Sequence, residues 1–266
     1  MLGSIAPWYL GIKLFARGYI TTIYNLKRSM ERDRIAELLG PFLGSGSELS
    51  AAQVHNISTY IDILLRWNAR VNLTAVRQPE EIVTRHFGES LFAARHLFPK
   101  QESLKSDHAK QQVRLIDVGS GAGFPGLPIK IWAPHIHLTL IESNQKKVTF
   151  LREVIRRLSL EDADVFARRL EDWKEDWKED WKDDRRSKPR EEEAPDVVTL
   201  RAVERFDSIM PVAANMVASS GRMALLVGEA QLERVRKLSP GLRWAAPIKL
   251  PCSTSRVLTI GRKESS

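Results

Sequence analysis

The stretch I-D-V-G-S-G-A-G-F-P-G-L-P, residues 116–128, limits what this chain can fold into more than any other segment. The apolar run V-R-L-I-D-V, beginning at Val113, stops at a cluster of glycines, and G-L-P-I-K-I-W-A follows. The run reads as a buried strand and the segment after it as a short helix. Gly119, Gly121, Gly123 and Gly126 link the two, where the backbone must turn sharply and approach a ligand without a Cβ in the way. In open α/β sheets, ligands bind at the carboxyl ends of the strands, which is where this turn lies. Glu142 closes the next apolar run, H-L-T-L-I-E, at the distance where an acid reaches a ribose.

Downstream the pattern continues. Asn144 caps a helix with Val148, Leu151, Ile155 and Leu158 on one face. A-D-V-F-A, D-V-V-T-L and R-M-A-L-L-V read as the third to fifth strands, with helices near 207–219 and 229–238. Strands alternating with helices predict an α/β fold with a parallel sheet covered on both faces. The last two strands, near 243–250 and 256–261, read as an antiparallel edge.

Upstream the period is helical. One helix is expected near 30–39, stopping at Gly40-Pro41. A second opens with a Ser50/Gln53 capping box and carries Val54, Ile57, Ile61, Leu64 and Leu65 on its apolar face. A third starts at Pro79 and buries Ile82, Val83, Phe87, Leu91 and Phe92. The chain thus divides into an extension over 1–29, a helical region over 30–98, a polar linker over 99–112 and a sheet-bearing domain over 113–266. The acid-rich helix opening after Met30 makes that residue the expected start of the folded part.

Charge points to a polyanionic partner. Lys plus Arg is 41 and Asp plus Glu is 33, a net +8, which favours nucleic acid. Arg77, Arg85, Lys147, Arg156 and Arg157 are among the basic residues that could anchor phosphates. The exception is 171–195, with eleven acids and seven bases, which begins with three copies of E-D-W-K. Trp173, Trp177 and Trp181 would share one helix face, a platform for RNA bases, but the excess of acid repels phosphate and favours a low-complexity surface insertion. Cys252 is the single cysteine, which excludes an internal disulfide framework and a Cys-rich zinc site and fits a reducing cytoplasm. The first twelve residues carry no charge, but neither they nor the longest uncharged stretch, 208–221, are long enough to span a bilayer.

The glycine turn alone leaves the ligand open. Gly121, Gly123 and Gly126 satisfy G-x-G-x-x-G, the fingerprint of a nicotinamide-dependent oxidoreductase. S-adenosylmethionine sites use the same strand, turn and ribose carboxylate. Pro125 and Pro128 remove two amide donors that a pyrophosphate would need, which leans towards S-adenosylmethionine.

Several strings taken together carry a resemblance. D-V-G-S-G-A-G-F-P-G-L-P, L-I-E-S-N-Q-K-K-V-T-F-L-R-E-V, R-x-E at Arg169–Glu171 and V-V-T-L-R-A-V resemble the RsmG (GidB) family of bacterial ribosomal RNA methyltransferases. Upstream, W-N-A-R-V-N-L-T-A-V-R-Q-P-E-E-I and R-H-F-G-E-S-L fit its helical N-terminal part. The resemblance runs from about Met30 to Lys263 and implies a Rossmann-like, seven-stranded methyltransferase fold with an N-terminal helical extension. It implies S-adenosyl-L-methionine as donor and N7 of one guanine in 16S ribosomal RNA, or in the small ribosomal subunit, as target.

By the same resemblance, Gly119, Gly121 and Phe124 contact the cofactor, Glu142 binds the ribose hydroxyls, and Leu170 and Glu171 flank the adenine. Arg201 sits where cofactor and target base meet and has a positioning role. No acid–base residue and no metal are implied, and the protein is expected to be a cytoplasmic monomer without membrane attachment. Two departures stand out: the repeat starts at Glu171, and Arg256 is followed by Val257 where the family pattern has His. A non-catalytic RNA-binding assembly factor is the third reading.

Overall fold

Central strands buried on both faces organise the chain around one sheet with two apolar layers. The computed structural model describes residues 32–44, 46–99, 112–173, 194–202 and 205–264. The expected extension over 1–29, nearly all of the expected linker and the E-D-W-K repeat beyond Trp173 lie outside the described residues.

The helical part comprises α1 over 32–43, α2 (Ala51–Val71), α3 (Pro79–Glu81) and α4 (Glu89–Leu97), with a π-helical turn (Ile82–Gly88) joining the last two. Helix α1 does not stop at Gly40-Pro41 as the sequence suggests. Leu39, Phe42 and Leu43 are buried in the core, and this tertiary packing holds a last turn that local propensity would end. Helix α2 opens on the expected capping box, Ser50 Oγ accepting from Gln53 N–H and Gln53 Oε1 from Ser50 N–H. Pro79 occupies the first turn of α3.

The remainder alternates: β1 (Arg114–Val118), α5 (Gly126–Trp132), β2 (His137–Ile141), α6 (Gln145–Arg157), β3 (Ala163–Phe166), β4 (Val197–Arg201), α7 (Phe206–Met216), β5 (Arg222–Gly228), α8 (Leu232–Leu238), β6 (Leu242–Trp244), β7 (Ile248–Lys249) and β8 (Arg256–Lys263). Asn144 caps α6 as expected, its Oδ1 accepting from Lys146 and Lys147 N–H.

Seven strands run in the order β3-β2-β1-β4-β5-β8-β6, and the two-residue β7 pairs with β8 off that path. Strands β1 to β5 are parallel, and β8 is antiparallel to β5. The single strand expected over 243–250 is two short ones, which pair with opposite ends of β8. Nor is β8 an edge strand, because it is inserted between β5 and β6.

Side chains divide between the two faces with period two. Leu115, Val197, Ala224, Leu226 and Leu258 face a core shared with α1, α2 and α4. Ile116, Val118, Val198, Leu200, Leu225 and Val257 face a second core with α7 and α8. The first core therefore joins the helical region to the sheet through Tyr60, Phe87, Phe124 and Phe150. Among the described residues, no helix is long and apolar enough to cross a membrane.

Strand order reverses between β1, whose successors β2 and β3 lie on one side, and β4, which starts the other side. This switch point places a crevice at the carboxyl ends of β1 and β4.

Candidate active site

Most amides of the turn after β1 are taken by acceptors of the protein itself. Ser120 N–H donates to Ile141 O (3.0 Å), Gly123 N–H and Phe124 N–H to Ser120 O (2.7 and 3.1 Å), and Leu127 N–H to Gly123 O (2.9 Å). Gly126 N–H donates to Asp117 Oδ2 (3.2 Å), and Ile129 N–H to Pro125 O (3.1 Å). With Pro128 lacking a donor, the first four positions of α5 hold no amide for a phosphate. The shortage of donors thus extends beyond the two prolines and disfavours a pyrophosphate-bearing nicotinamide cofactor.

Gly123 has φ +85°, and a Cβ there would run into the Tyr60 hydroxyl and the Leu127 side chain. The Tyr60 hydroxyl, brought by α2, donates to Ala122 O. The Tyr60 ring stacks on Phe124 at 5.4 Å, and His86 stacks on the same ring at 4.8 Å. Phe124 is therefore mostly packed against the helical region. At Gly121 a built Cβ would meet only Gly119 O at 3.8 Å, so the space above it is open.

Glu142, just past β2, is buried and held from two sides. Its Oε2 accepts from Gly121 N–H (3.0 Å) and its Oε1 from Asn144 N–H (2.8 Å). A carboxylate accepts about four hydrogen bonds, so lone pairs remain for a ligand. Asp117, buried on β1, accepts from Thr199 Oγ1 (2.8 Å) as well as from Gly126. Burial pushes its pKa up to about 7, against those hydrogen bonds and the Arg201 charge.

Gly119, Gly121, Phe124, Glu142, Leu170, Glu171 and Arg201 all line one cavity of about 520 Å³. Leu170 is buried in the second core, in the 3-10 turn after β3, and Glu171 is half-exposed with Arg205 3.5 Å away. The start of the repeat at Glu171 therefore leaves both residues at the cavity.

Arg201, at the end of β4, points towards the helical region. Its Nη2 donates to Arg85 O (2.6 Å), lies 3.1 Å from His86 Nδ1 and 3.4 Å from Glu89 Oε2. Burial lowers its pKa to about 10, with Glu89 opposing, so it stays charged near neutrality. His86 is pushed down to about 3, first by burial and then by Arg201, Arg85 and Arg256. It is therefore neutral, and with Nδ1 accepting from Arg201, Nε2–H donates to Thr74 Oγ1 at 2.7 Å.

Thr74 in turn is clamped by Asn68, which accepts from Thr74 N–H (3.0 Å) and donates to Thr74 O (3.1 Å). Asn72 ends α2 in the left-handed region and accepts from Arg77 Nη2 (2.7 Å). The W-N-A-R-V-N-L-T-A string therefore builds the wall that presents Thr74 and His86 to the cavity.

Asp117 and Glu89 belong to the site although nothing local in the sequence marks them. Glu89 is buried and stands 2.7 Å from Arg256 Nη2. Arg256 thus reaches the site although Val257, not His, follows it, and Val257 is core. Of the expected phosphate anchors, Arg156 and Arg157 pair with Glu153 and Arg77 bonds Asn68 O and Asn72, whereas Lys147 and Arg85, the latter paired with Glu81, line the cavity.

The family model GidB, rRNA small subunit methyltransferase G, matches residues 53–245. A protein of Roseiflexus castenholzii called ribosomal RNA small subunit methyltransferase G is 34% identical over 231 residues, covering 84% of this chain and 89% of that one. One of Xylella fastidiosa with the same description is 33% identical over 221 residues, covering 81% and 90%. One of Alkaliphilus metalliredigens is 41% identical over 127 residues, and there the chain spans about half of the relative's length, 49%. These matches lend no support to an oxidoreductase or to a non-catalytic assembly factor.

Proposed function

The chain belongs to the rRNA small subunit methyltransferase G family, and on that premise we propose that it transfers the methyl group of S-adenosylmethionine to N7 of one guanine in 16S ribosomal RNA. The observation that carries this reading is the pairing of Glu142, fixed by the Gly121 and Asn144 amides, with a helix start that offers a phosphate nothing. A ribose carboxylate without a phosphate seat suits an adenosyl group that bears a sulfonium.

The donor set fits that cofactor. Glu142 would accept from the ribose hydroxyls, Leu170 and Glu171 would flank the adenine, and Gly119, Gly121 and Phe124 would form the floor. When bound, S-adenosylmethionine supplies an electrophilic methyl group. Guanine N7 carries an in-plane lone pair and no proton at neutral pH, so attack needs no general base. The residues here suit such chemistry, since His86 is held neutral and Arg201 charged, and neither is poised to take a proton near pH 7.

What the chain contributes is alignment and the exclusion of water, which can supply roughly 7–11 kcal/mol in favourable cases. Arg201 acts as a positioning residue, and its site is built jointly by β4 and the π-helical turn. N7 lies on the edge that A-form RNA hides in a deep, narrow groove, so the target must be unstacked or displayed by a folded ribosomal element. The protein works as a cytoplasmic monomer in this reading, on the RNA or on the small subunit.

The test is to map N7-methylguanosine in 16S ribosomal RNA from cells with and without the gene, alongside calorimetry of the purified chain with S-adenosylhomocysteine. Loss of one methylated guanine together with measurable binding is the expected result. An unchanged methylation map, or no heat of binding, would overturn the reading.

A further inference from the structure

A second cavity, of about 230 Å³, adjoins the first, and the two share Arg85, Arg201 and Ala202. Glu89, Arg201 and Arg256 line it together with Phe206, Gly228 and Gln231. Among the described residues, two of its buried polar atoms lack hydrogen-bond partners, and they are of opposite kind. Arg201 Nη1 is a donor without an acceptor. Glu89 Oε1 is an acceptor that lies 2.7 Å from Arg256 Nη2 but outside hydrogen-bond geometry. Both side chains are deep, with 11% of Arg201 and 2% of Glu89 exposed. Glu89 Oε1 thus has a charge partner but no hydrogen bond, and Arg201 Nη1 has no acceptor; buried polar atoms short of hydrogen bonds cost free energy, and their occurrence on two side chains in contact at 3.4 Å marks a place where a ligand completes the bonding.

We propose that this second cavity receives the target guanine, with Glu89 reading its N1–H and 2-amino edge and Arg201 Nη1 donating to O6. The proposal rests on the methyltransferase reading above and deepens it. Guanine presents a carbonyl acceptor next to an N–H donor, the complement of the Arg201–Glu89 pair. Adenine presents an amino donor next to a bare ring nitrogen, which sets donor against donor and acceptor against acceptor. Around the purine the order is 2-amino, N1, O6, N7. With O6 on Arg201, which lines both cavities, N7 falls on the side of the first cavity, where the methyl donor would lie.

The remaining lone pairs of Glu89 suffice for this. Its two oxygens face one arginine each, at 3.4 and 2.7 Å, and a carboxylate accepts about four bonds. Phe206 gives the cavity an apolar wall for the base. Specificity here is built by burial: a base that leaves Glu89 or Arg201 unmatched incurs the desolvation cost of both.

The experiment has two arms. In the first, Glu89→Gln is compared with wild type for S-adenosylhomocysteine binding and for methyl transfer to small subunits from cells lacking the gene. Cofactor affinity is expected within about twofold, while kcat/KM for transfer falls on the order of tenfold to a hundredfold. In the second, wild-type protein saturated with S-adenosylhomocysteine is titrated by NMR with guanosine, adenosine and 1-methylguanosine 5′-monophosphates. Guanosine monophosphate is expected to bind, and the other two at least tenfold more weakly.

Equal binding of the three nucleotides overturns the proposal, as does full transfer by Glu89→Gln. Should that variant fail to fold, the nucleotide arm decides alone. If wild type itself neither binds S-adenosylhomocysteine nor methylates subunits, the broader reading has failed; if it does both and only the discrimination is missing, this proposal alone has failed.

Discussion

Replacing Glu142 tests whether the carboxylate is a built ribose site or merely an acid near a cavity. In Glu142→Gln the side-chain shape is kept but one oxygen becomes an NH2 group. The two oxygens now accept from different backbone donors, Gly121 and Asn144, at 3.0 and 2.8 Å. An amide can satisfy only one of them and turns a donor towards the other. The side chain must therefore rotate away or hold a donor–donor contact, and either loses a hydrogen bond to a charged group, worth roughly 1.5–3 kcal/mol. That loss weakens the fold in free and bound protein alike, whereas binding loses the charged acceptor of the ribose hydroxyls, a bond of the same size.

With every 1.4 kcal/mol equal to about a factor of ten, S-adenosylhomocysteine should bind on the order of ten to a hundred times more weakly. Glu142→Ala should be weakened to a similar degree, because shape without the second acceptor is of little use. Isothermal calorimetry reads the affinities, and a thermal melt verifies the fold. Binding by Glu142→Gln within threefold of wild type would refute the idea that both oxygens matter.

Gly123→Ala forces a side chain into the left-handed region against Tyr60 and Leu127, so urea denaturation should show a loss of roughly 2–5 kcal/mol. Asp117 titrates near 7 when folded and near 3.8 when free, so the folded state binds the extra proton between these values. Its contribution to stability is full below about pH 4 and is lost as pH rises through 7. The stability of wild type minus that of Asp117→Asn should therefore fall across this window and flatten above it, and calorimetric scans at pH 5 and 8 check the sign. Lys130, buried with its ammonium donating to Pro134 O (2.7 Å) and Ile136 O (2.5 Å), anchors the loop after α5. Lys130→Met strands both carbonyls and should lower the melting temperature while leaving cofactor affinity intact, and affinity lost along with stability would count against so local a role. Arg201→Ala removes a buried partner of Glu89 and should cost about 3–5 kcal/mol in denaturant as well as methyl transfer, whereas a fully active, fully stable variant would take Arg201 out of the site.

What the sequence made legible was local. The glycine turn, the strand before it, the Ser50 capping box and the Asn144 cap each depend on residues within a few positions, and each stands where periodicity and cap chemistry put it. What it concealed depends on distant partners. Glu89 falls in R-H-F-G-E-S-L, where an acid on a helix looks like a solvent-facing charge; only Arg201 and Arg256, far along the chain, make it a buried acceptor. The π-helical turn has no local signature either. There Glu89 N–H reaches back to Thr84 O as well as to His86 O, and the widened turn brings Arg85 O and His86 to Arg201. Strand β8 is legible as an apolar run but not in its place between β5 and β6, since neighbour order is a property of the sheet and not of the strand.

The self-contained hydrogen bonding of the turn after β1 also bears on inhibitor chemistry. A compound that anchors itself through a triphosphate, or through a sulfonate posing as one, finds no seat at this helix start and must strip its own hydration without recompense. Small adenosyl mimics with a neutral tail that ends in a carbonyl acceptor, reaching past Arg201 towards the narrower chamber, match the polarity of the wall far better, and a screening collection weighted towards nucleotide-triphosphate competitors would be searching the wrong chemical neighbourhood.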